Sequence, residues 1–242
     1  MSSNTAIIIP ARLAAVRLPN KPLANIGDVP IVIRVANQAK SSNAGDVFIA
    51  ACEDAVYNIA KKYNFEAIKT EPTLASGTDR VYAAFKDISR NYKYIINLQG
   101  DLPLIDPQII SATKDLLAQQ DIEIATAAVE ITEHNKENDP NIVKAILTQS
   151  NQALYFTRAT APFGPGKLYE HIGIYGYTPE SLEKFVKAPQ TLLEKRERLE
   201  QLRALEHGIK IHVTIVDSAP ISVDTPENLE RARTAFKLSA KN

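Results

Sequence analysis

Short apolar runs alternate along the chain with longer stretches in which apolar and polar side chains are mixed. Residues 7–9, 47–51, 66–69, 94–99, 122–129, 142–147, 172–177 and 210–216 have the length and β-branched content of strands. Between them, residues 31–41, 54–63, 77–90, 107–119, 179–186, 192–206 and 226–240 predict helices. Thr225 is placed to cap the last of these, and Pro226 stands at the first helical position, where its missing N–H costs nothing. Over the first hundred residues strand and helix alternate at crossover spacing. That order predicts a doubly wound α/β architecture, a mostly parallel central sheet with helices on both faces. No internal repeat, low-complexity tract or linker breaks the pattern, so residues 1–242 read as a single domain.

Composition narrows the function. Of 242 residues, 45% are hydrophobic and 23% charged, which suffices for a full core and excludes disorder. The 28 Lys and Arg balance 28 Asp and Glu, so no long-range field draws the chain to nucleic acid or an anionic membrane. No apolar run reaches the roughly 18 residues of a membrane span, and the N-terminal residues lack a secretory pattern, so a cytoplasmic location is expected. The single cysteine, Cys52, follows Ile49-Ala50-Ala51 and reads as a small buried residue.

In a doubly wound sheet ligands bind beyond the carboxyl ends of the strands, which gives priority to three segments. Pro10 to Pro22, after the first strand, gathers Arg12, Arg17 and Lys21 with no acidic residue among them, and Pro19 and Pro22 stiffen it. Such a loop suits phosphates, which Arg grips bidentately and Lys neutralises as a point charge; a solvated basic loop is the alternative. No glycine-rich phosphate-binding motif accompanies it. Residues 95–101 deliver Gln99 and Asp101 at the end of a buried strand, with Gly100 allowing close backbone approach. Asp224, between a strand and a capped helix, repeats that logic. Two such carboxylates suit a Mg²⁺ ion that takes its remaining ligands from substrate phosphates, although a turn aspartate satisfying local amides is a common use of Asp. The cations then lie on one side of the proposed site and the carboxylates on the other. His171, Gly173 and Tyr175 share one strand face by alternation. His134, His207 and His212 carry no assigned role, and no nucleophile with an adjacent base stands out.

Six segments in register carry a resemblance: Ile8-Ile9-Pro10-Ala11-Arg12 with Arg17-Leu18-Pro19-Asn20-Lys21-Pro22-Leu23, Ser76-Gly77-Thr78-Asp79-Arg80, Leu98-Gln99-Gly100-Asp101, His171-Ile172-Gly173-Ile174-Tyr175-Gly176-Tyr177, Leu199-Glu200-Gln201-Leu202-Arg203 and Val223-Asp224-Thr225-Pro226-Glu227. Together they resemble the 3-deoxy-manno-octulosonate cytidylyltransferase (CMP-Kdo synthetase) family over nearly the whole chain. The resemblance implies a Rossmann-like nucleotidyltransferase fold with a sugar-binding and dimerisation insertion around residues 125–210. It implies a Mg²⁺-dependent homodimer that transfers CMP from CTP to the anomeric hydroxyl of Kdo, releasing pyrophosphate, for lipopolysaccharide biosynthesis. By the same resemblance Arg12, Arg17 and Lys21 hold the triphosphate, Ala11, Ser76, Gly77 and Arg80 shape the cytidine pocket, and Asp101 and Asp224 bind Mg²⁺. Gln99, Arg158, His171, Tyr175, Glu200 and Gln201 contact the sugar acid, while Arg12, Lys21, Asp101 and Asp224 act on the reacting groups. The chain departs from the family pattern at Leu102, where Glu is common, at Asn20 for Gly, at Leu74 for His, and in a short segment before His171. Those departures leave room for another acidic sugar, such as an 8-amino analogue of Kdo or a sialic-acid-like acid. A non-catalytic nucleotide sensor on the same fold is the remaining alternative.

Overall fold

The computed structural model describes residues 3–14 and 17–239, Asn135 by its backbone alone. Ala15 and Val16 of the basic loop and Ala240 of the expected last helix lie outside the described residues. Contacts gather the chain into two compact units, one of residues up to Ser111 and from Pro220 onward, the other Ala112–Ala219. The insertion expected around residues 125–210 falls within the second.

In the first unit β1 (Thr5–Ala11) leads through a 3-10 turn (Lys21–Leu23) and a small hairpin of β2 (Asn25–Ile26) and β3 (Val29–Pro30) into α1 (Ile31–Ser41). Then follow β4 (Asp46–Ala51), α2 (Asp54–Lys62), β5 (Glu66–Lys69), α3 (Gly77–Asp87), β6 (Tyr94–Leu98) and α4 (Pro107–Leu117), which runs on into the second unit. There lie β7 (Ile124–Glu130), α5 (His134–Glu137), β8 (Lys144–Leu147), β9 (Ala153–Thr157), β10 (Tyr169–Tyr177), α6 (Pro179–Lys187), α7 (Leu192–Glu197), α8 (Leu202–Glu206) and β11 (Ile211–Val216). The last helix, α9 (Pro226–Ser239), belongs to the first unit again.

The strands of the first unit run in the order β6-β1-β4-β5, with every neighbouring pair parallel. Ile7, Ile8, Ile9, Ile95 and Ile96 are fully buried, as expected for strands covered on both faces. From β1 to β4 to β5 the chain steps one way across the sheet; from β5 it returns past β1 to β6. Right-handed crossovers therefore put α1 and α2 on one face and α3 on the other. The reversal falls between β1 and β6, which opens a crevice at their carboxyl ends. In the second unit β7 pairs parallel with β11 and antiparallel with β10, and β8 joins β10 and β9 antiparallel. The register of β10 on β7 shifts between Ile172 and Tyr175, a bulge.

The expected elements are present, several with shorter ends, and the 3-10 turn, the β2/β3 hairpin and α5 were not expected. Residues 192–206 form two helices, because Arg198 adopts a left-handed φ of 57° and closes α7. The segment 153–157, expected as a connection, is strand β9, whose alternation is blurred by exposed Leu154 between buried Ala153 and Phe156. Cys52 is half-buried: the sheet core ends at Ala51, and the Cys52 N–H donates to the Ala11 carbonyl at the strand ends. Thr225 caps α9 as expected, accepting from the Asn228 N–H at 3.2 Å.

Candidate active site

At the carboxyl ends of β1 and β6 lies a cavity of about 350 Å³ within the size range of small-ligand sites. It brings together Ala11, Arg12, Arg17, Lys21, Ser76, Gly77, Arg80, Gln99, Asp101 and Asp224, with Pro10, Ala14, Pro22 and Gly100 completing the wall. Local structure explains most of these placements. Asn20 takes φ 57°, a left-handed conformation that Asn tolerates better than most residues, and so turns the basic loop into the helical turn that carries Lys21. Ser76 and Asp79 form a reciprocal cap, each side chain accepting the other's N–H at 3.0 Å, which sets Gly77 at the start of α3. One turn on, Arg80 is buried at 2% exposure. Its Nη1 donates to Thr70 Oγ1 at 2.5 Å and to the Glu71 carbonyl at 3.2 Å, while Nη2 is buried with no protein partner. A buried donor at a cavity wall is costly unless a ligand takes it. A Cβ on Gly100 would lie 2.9 Å from the Pro10 carbonyl, so the two strand ends approach this closely only with glycine there. Gln99 is aligned by donating from Nε2 to Asn97 Oδ1 at 3.0 Å. The Asp101 carbonyl accepts from the Val223 N–H at 2.8 Å, and that bond carries Asp224 alongside Asp101.

Cations and carboxylates interleave here rather than facing each other from opposite sides. Lys21 Nζ lies 2.9 Å from Asp224 Oδ1 and 3.4 Å from Asp101 Oδ2, and Arg17 Nη2 lies 3.3 Å from Asp224 Oδ2. Burial raises the Asp101 carboxyl above its usual range; Lys21 opposes that rise and Asp224 adds to it. Two carboxylates from separate loops thus aim oxygens at one cationic centre. These hard oxygen donors fit a Mg²⁺ ion that draws its other ligands from water and phosphate. Among the described residues no cluster of three or more His, Cys, Asp or Glu forms an all-protein metal cage. Leu102 is buried, so at this departure from the family pattern an apolar side chain fills the core.

The other expected site residues lie in the second unit. His171 Nε2 stands 3.0 Å from Thr126 Oγ1, and burial lowers its pKa to about 3, so the ring is neutral at pH 7. Its ring packs on Phe156 and Tyr175 with centroids 5.0 and 5.4 Å apart. Tyr175 has its phenol pushed well up, first by burial and then by the charges of Tyr177 and Glu200, which keeps it a hydroxyl donor. Glu200 lies 3.8 Å from Arg203, and Gln201 is buried at the start of α8. Arg158 is held by other groups: Nε donates to the Glu197 carbonyl at 3.1 Å and Nη1 to the Pro140 carbonyl at 3.0 Å.

Residues 6–211 match the sequence model of the cytidylyltransferase family. The chain is 48% identical to the 3-deoxy-manno-octulosonate cytidylyltransferase of Bartonella henselae, covering 96% of this chain and 98% of the relative. It is 46% identical to that of Mesorhizobium japonicum, over 96% and 98%. The chain belongs to the 3-deoxy-manno-octulosonate cytidylyltransferase family. A solved member described as CMP:2-keto-3-deoxy-manno-octonic acid synthetase complexed with CTP superposes with a TM-score of 0.93 at 30% identity, covering 98% of this chain and all of that one. A cytidylyltransferase from Leptospira borgpetersenii, 21% identical, shares the fold with a TM-score of 0.65 over 98% of this chain and 87% of its own.

Three residues of this family member, Thr126, Lys144 and Glu197, were not expected from the sequence, although the first two carry a visible signal. Thr126 interrupts an apolar strand, and Lys144 is a charge inside another. Fully buried, Lys144 donates to the carbonyls of Asp139, Ile142 and Arg158 at 2.7, 3.0 and 3.3 Å. Glu197 accepts from the Arg158 N–H at 3.0 Å and from Thr157 Oγ1 at 2.9 Å, so both backbone polar groups of Arg158 are held by charged side chains.

Proposed function

We propose that this chain transfers CMP from CTP to the anomeric hydroxyl of 3-deoxy-D-manno-octulosonate, giving CMP-Kdo and pyrophosphate. The observation that carries the reading is the cavity at the β1/β6 reversal, where a basic loop, a buried arginine with an unused donor and two convergent carboxylates meet in a member of this family. The sugar hydroxyl oxygen bonds to the α-phosphorus of CTP and its proton passes to solvent, while the bond from that phosphorus to the bridging oxygen breaks and pyrophosphate departs. No covalent enzyme intermediate is needed, so catalysis consists of positioning and charge neutralisation.

Arg12, Arg17 and Lys21 take the triphosphate and steady the charge that grows on the leaving group. Ser76, Gly77, Ala11 and Arg80 shape the base pocket, with Arg80 Nη2 available to a carbonyl or ring nitrogen of the base. Asp101 and Asp224 would hold Mg²⁺, which would supply Lewis-acid polarisation. Lys21 and Arg17, which pair with these carboxylates here, would then be available to phosphate. Gln99, Arg158, His171, Tyr175, Glu200 and Gln201 provide the mixture of donors and acceptors that a polyhydroxy acid requires. We place the reaction in the cytoplasm, where nucleoside triphosphates are held, with the protein a homodimer whose product serves lipopolysaccharide synthesis. No helix among the described residues is long and apolar enough to cross a membrane.

Pyrophosphate release tests the reading with each nucleoside triphosphate against Kdo, 8-amino-Kdo and a sialic acid, with and without Mg²⁺. The expected result is release with CTP, Kdo and Mg²⁺ together, and none when any one is omitted. A higher kcat/KM for another sugar acid reassigns the substrate. CTP binding with no sugar-dependent release makes the chain a sensor.

A further inference from the structure

Thr126 lies at the bulge where β10 changes register on β7, and it is fully buried. Its Oγ1 is 2.6 Å from the Ile174 carbonyl oxygen and 3.3 Å from that of Ile172. A carbonyl oxygen carries no hydrogen, so two oxygens 2.6 Å apart require the hydroxyl proton between them. Threonine has one such proton, and it is thereby committed to the bulge carbonyls. Toward His171 Nε2, 3.0 Å away on the other side, Oγ1 offers only a lone pair, and the ring nitrogen must donate.

We propose that Thr126 is a positioning residue that locks the ring hydrogen of His171 on Nε2, leaving Nδ1 as a hydrogen-bond acceptor for a hydroxyl of the sugar. Burial keeps the imidazole uncharged, so it carries one N–H and no second donor. A bare Nδ1 repels a carboxylate and accepts from an alcohol. The sugar's carboxylate is therefore taken by another donor, and His171 selects for a hydroxyl at its position. Without the bulge the carbonyls of Ile172 and Ile174 would not both reach one Oγ1, so an irregularity in strand pairing sets the polarity of a binding group. The inference rests on the reading of His171 as a sugar contact.

Long-range ¹H–¹⁵N correlation spectra of the [¹⁵N]histidine-labelled protein at pH 7 test it, with His171 assigned by the signals lost in His171→Asn. The expected pattern is a protonated Nε2 and an unprotonated Nδ1. Thr126→Val, which keeps the shape and removes the hydroxyl, is expected to mix the tautomers and raise KM for Kdo about tenfold, the loss of one hydrogen bond, with KM for CTP within about twofold. Thr126→Ser is expected to restore both. A wild-type His171 protonated on Nδ1, or on both nitrogens, overturns the proposal whether or not Thr126→Val folds. So does a Thr126→Val spectrum identical to wild type. If the tautomer shifts and KM for Kdo does not, the sugar contact at His171 is overturned while CMP transfer to Kdo stands on its own assay.

Discussion

The most consequential single residue is Lys21, because its ammonium occupies the point on which Asp101 and Asp224 converge. A carboxylate pair that can close on one cation is the feature a metal-assisted phosphoryl transfer needs, and neutralising either member removes it. Asp101→Asn and Asp224→Asn are each expected to lose at least about 100-fold in turnover while retaining the wild-type circular dichroism spectrum. Near-normal pyrophosphate release from both variants would falsify the metal assignment. His171 provides a second test at this scale. Its folded pKa, about 3, lies below the ordinary 6.5, so as pH falls the unfolded chain binds a proton that the folded one refuses. Its contribution to stability is complete above pH 6.5 and is lost between there and about pH 3, at up to about 1.4 kcal/mol per pH unit. Urea unfolding of His171→Gln is expected to show a pH slope shallower by that amount near about pH 5.

Among the elements, the junction of α7 and α8 shows how a short segment is held when helix propensity is not enough. Glu194 and Arg203 are both buried, and Arg203 Nε and Nη2 donate to the two Glu194 oxygens at 2.9 and 2.5 Å. Burial pushes the Glu194 carboxyl up, but the Arg203 hydrogen bonds and the Thr191 N–H outweigh it and hold it below its usual range. The Arg203 guanidinium also lies over the Phe185 ring at 5.0 Å, tying α8 to α6. This pair folds the chain back at Arg198 and so places Glu200 and Gln201. Glu194→Leu is expected to cost about 3–5 kcal/mol in urea unfolding, since it takes from the buried Arg203 guanidinium the two carboxylate oxygens to which Nε and Nη2 donate. Glu194→Leu combined with Arg203→Met is expected to recover most of that loss, which a double-mutant cycle measures. The pattern along 192–206 reads as one continuous helix because the ion pair that breaks it joins residues whose partnership has no local signature.

For the whole molecule, charge balance conceals the site. Twenty-eight positive and twenty-eight negative side chains cancel, yet Arg12, Arg17 and Lys21 meet Asp101 and Asp224 at one strand-end crevice. A neutral sum thus contains a local cluster of cations and carboxylates that suits a small triphosphate. Because the cavity is built entirely from the unit containing β1 and β6, CTP at about 100 times its Kd is expected to stabilise that unit by about 2.7 kcal/mol. Scanning calorimetry with CTP and Mg²⁺ reads this as a rise in Tm, and an unmoved transition removes the nucleotide from this cavity.

Sequence alone determined the strand–helix alternation of the first hundred residues, the strand-end positions of Arg12, Gln99 and Asp101, and the cap at Thr225. Each is a local matter of apolar period, loop chemistry or helix signal. It also pointed to Asp224, since an Asp between a strand and a capped helix is visible without its partner. Only the tertiary structure decided that Lys21 stands between the two carboxylates, that Arg80 keeps a buried donor free, and that Thr126 spends its single hydrogen on a bulge. Those facts depend on contacts between residues far apart in the chain and on counting each donor and acceptor where it lies, and neither distance nor hydrogen count is written in the order of the residues.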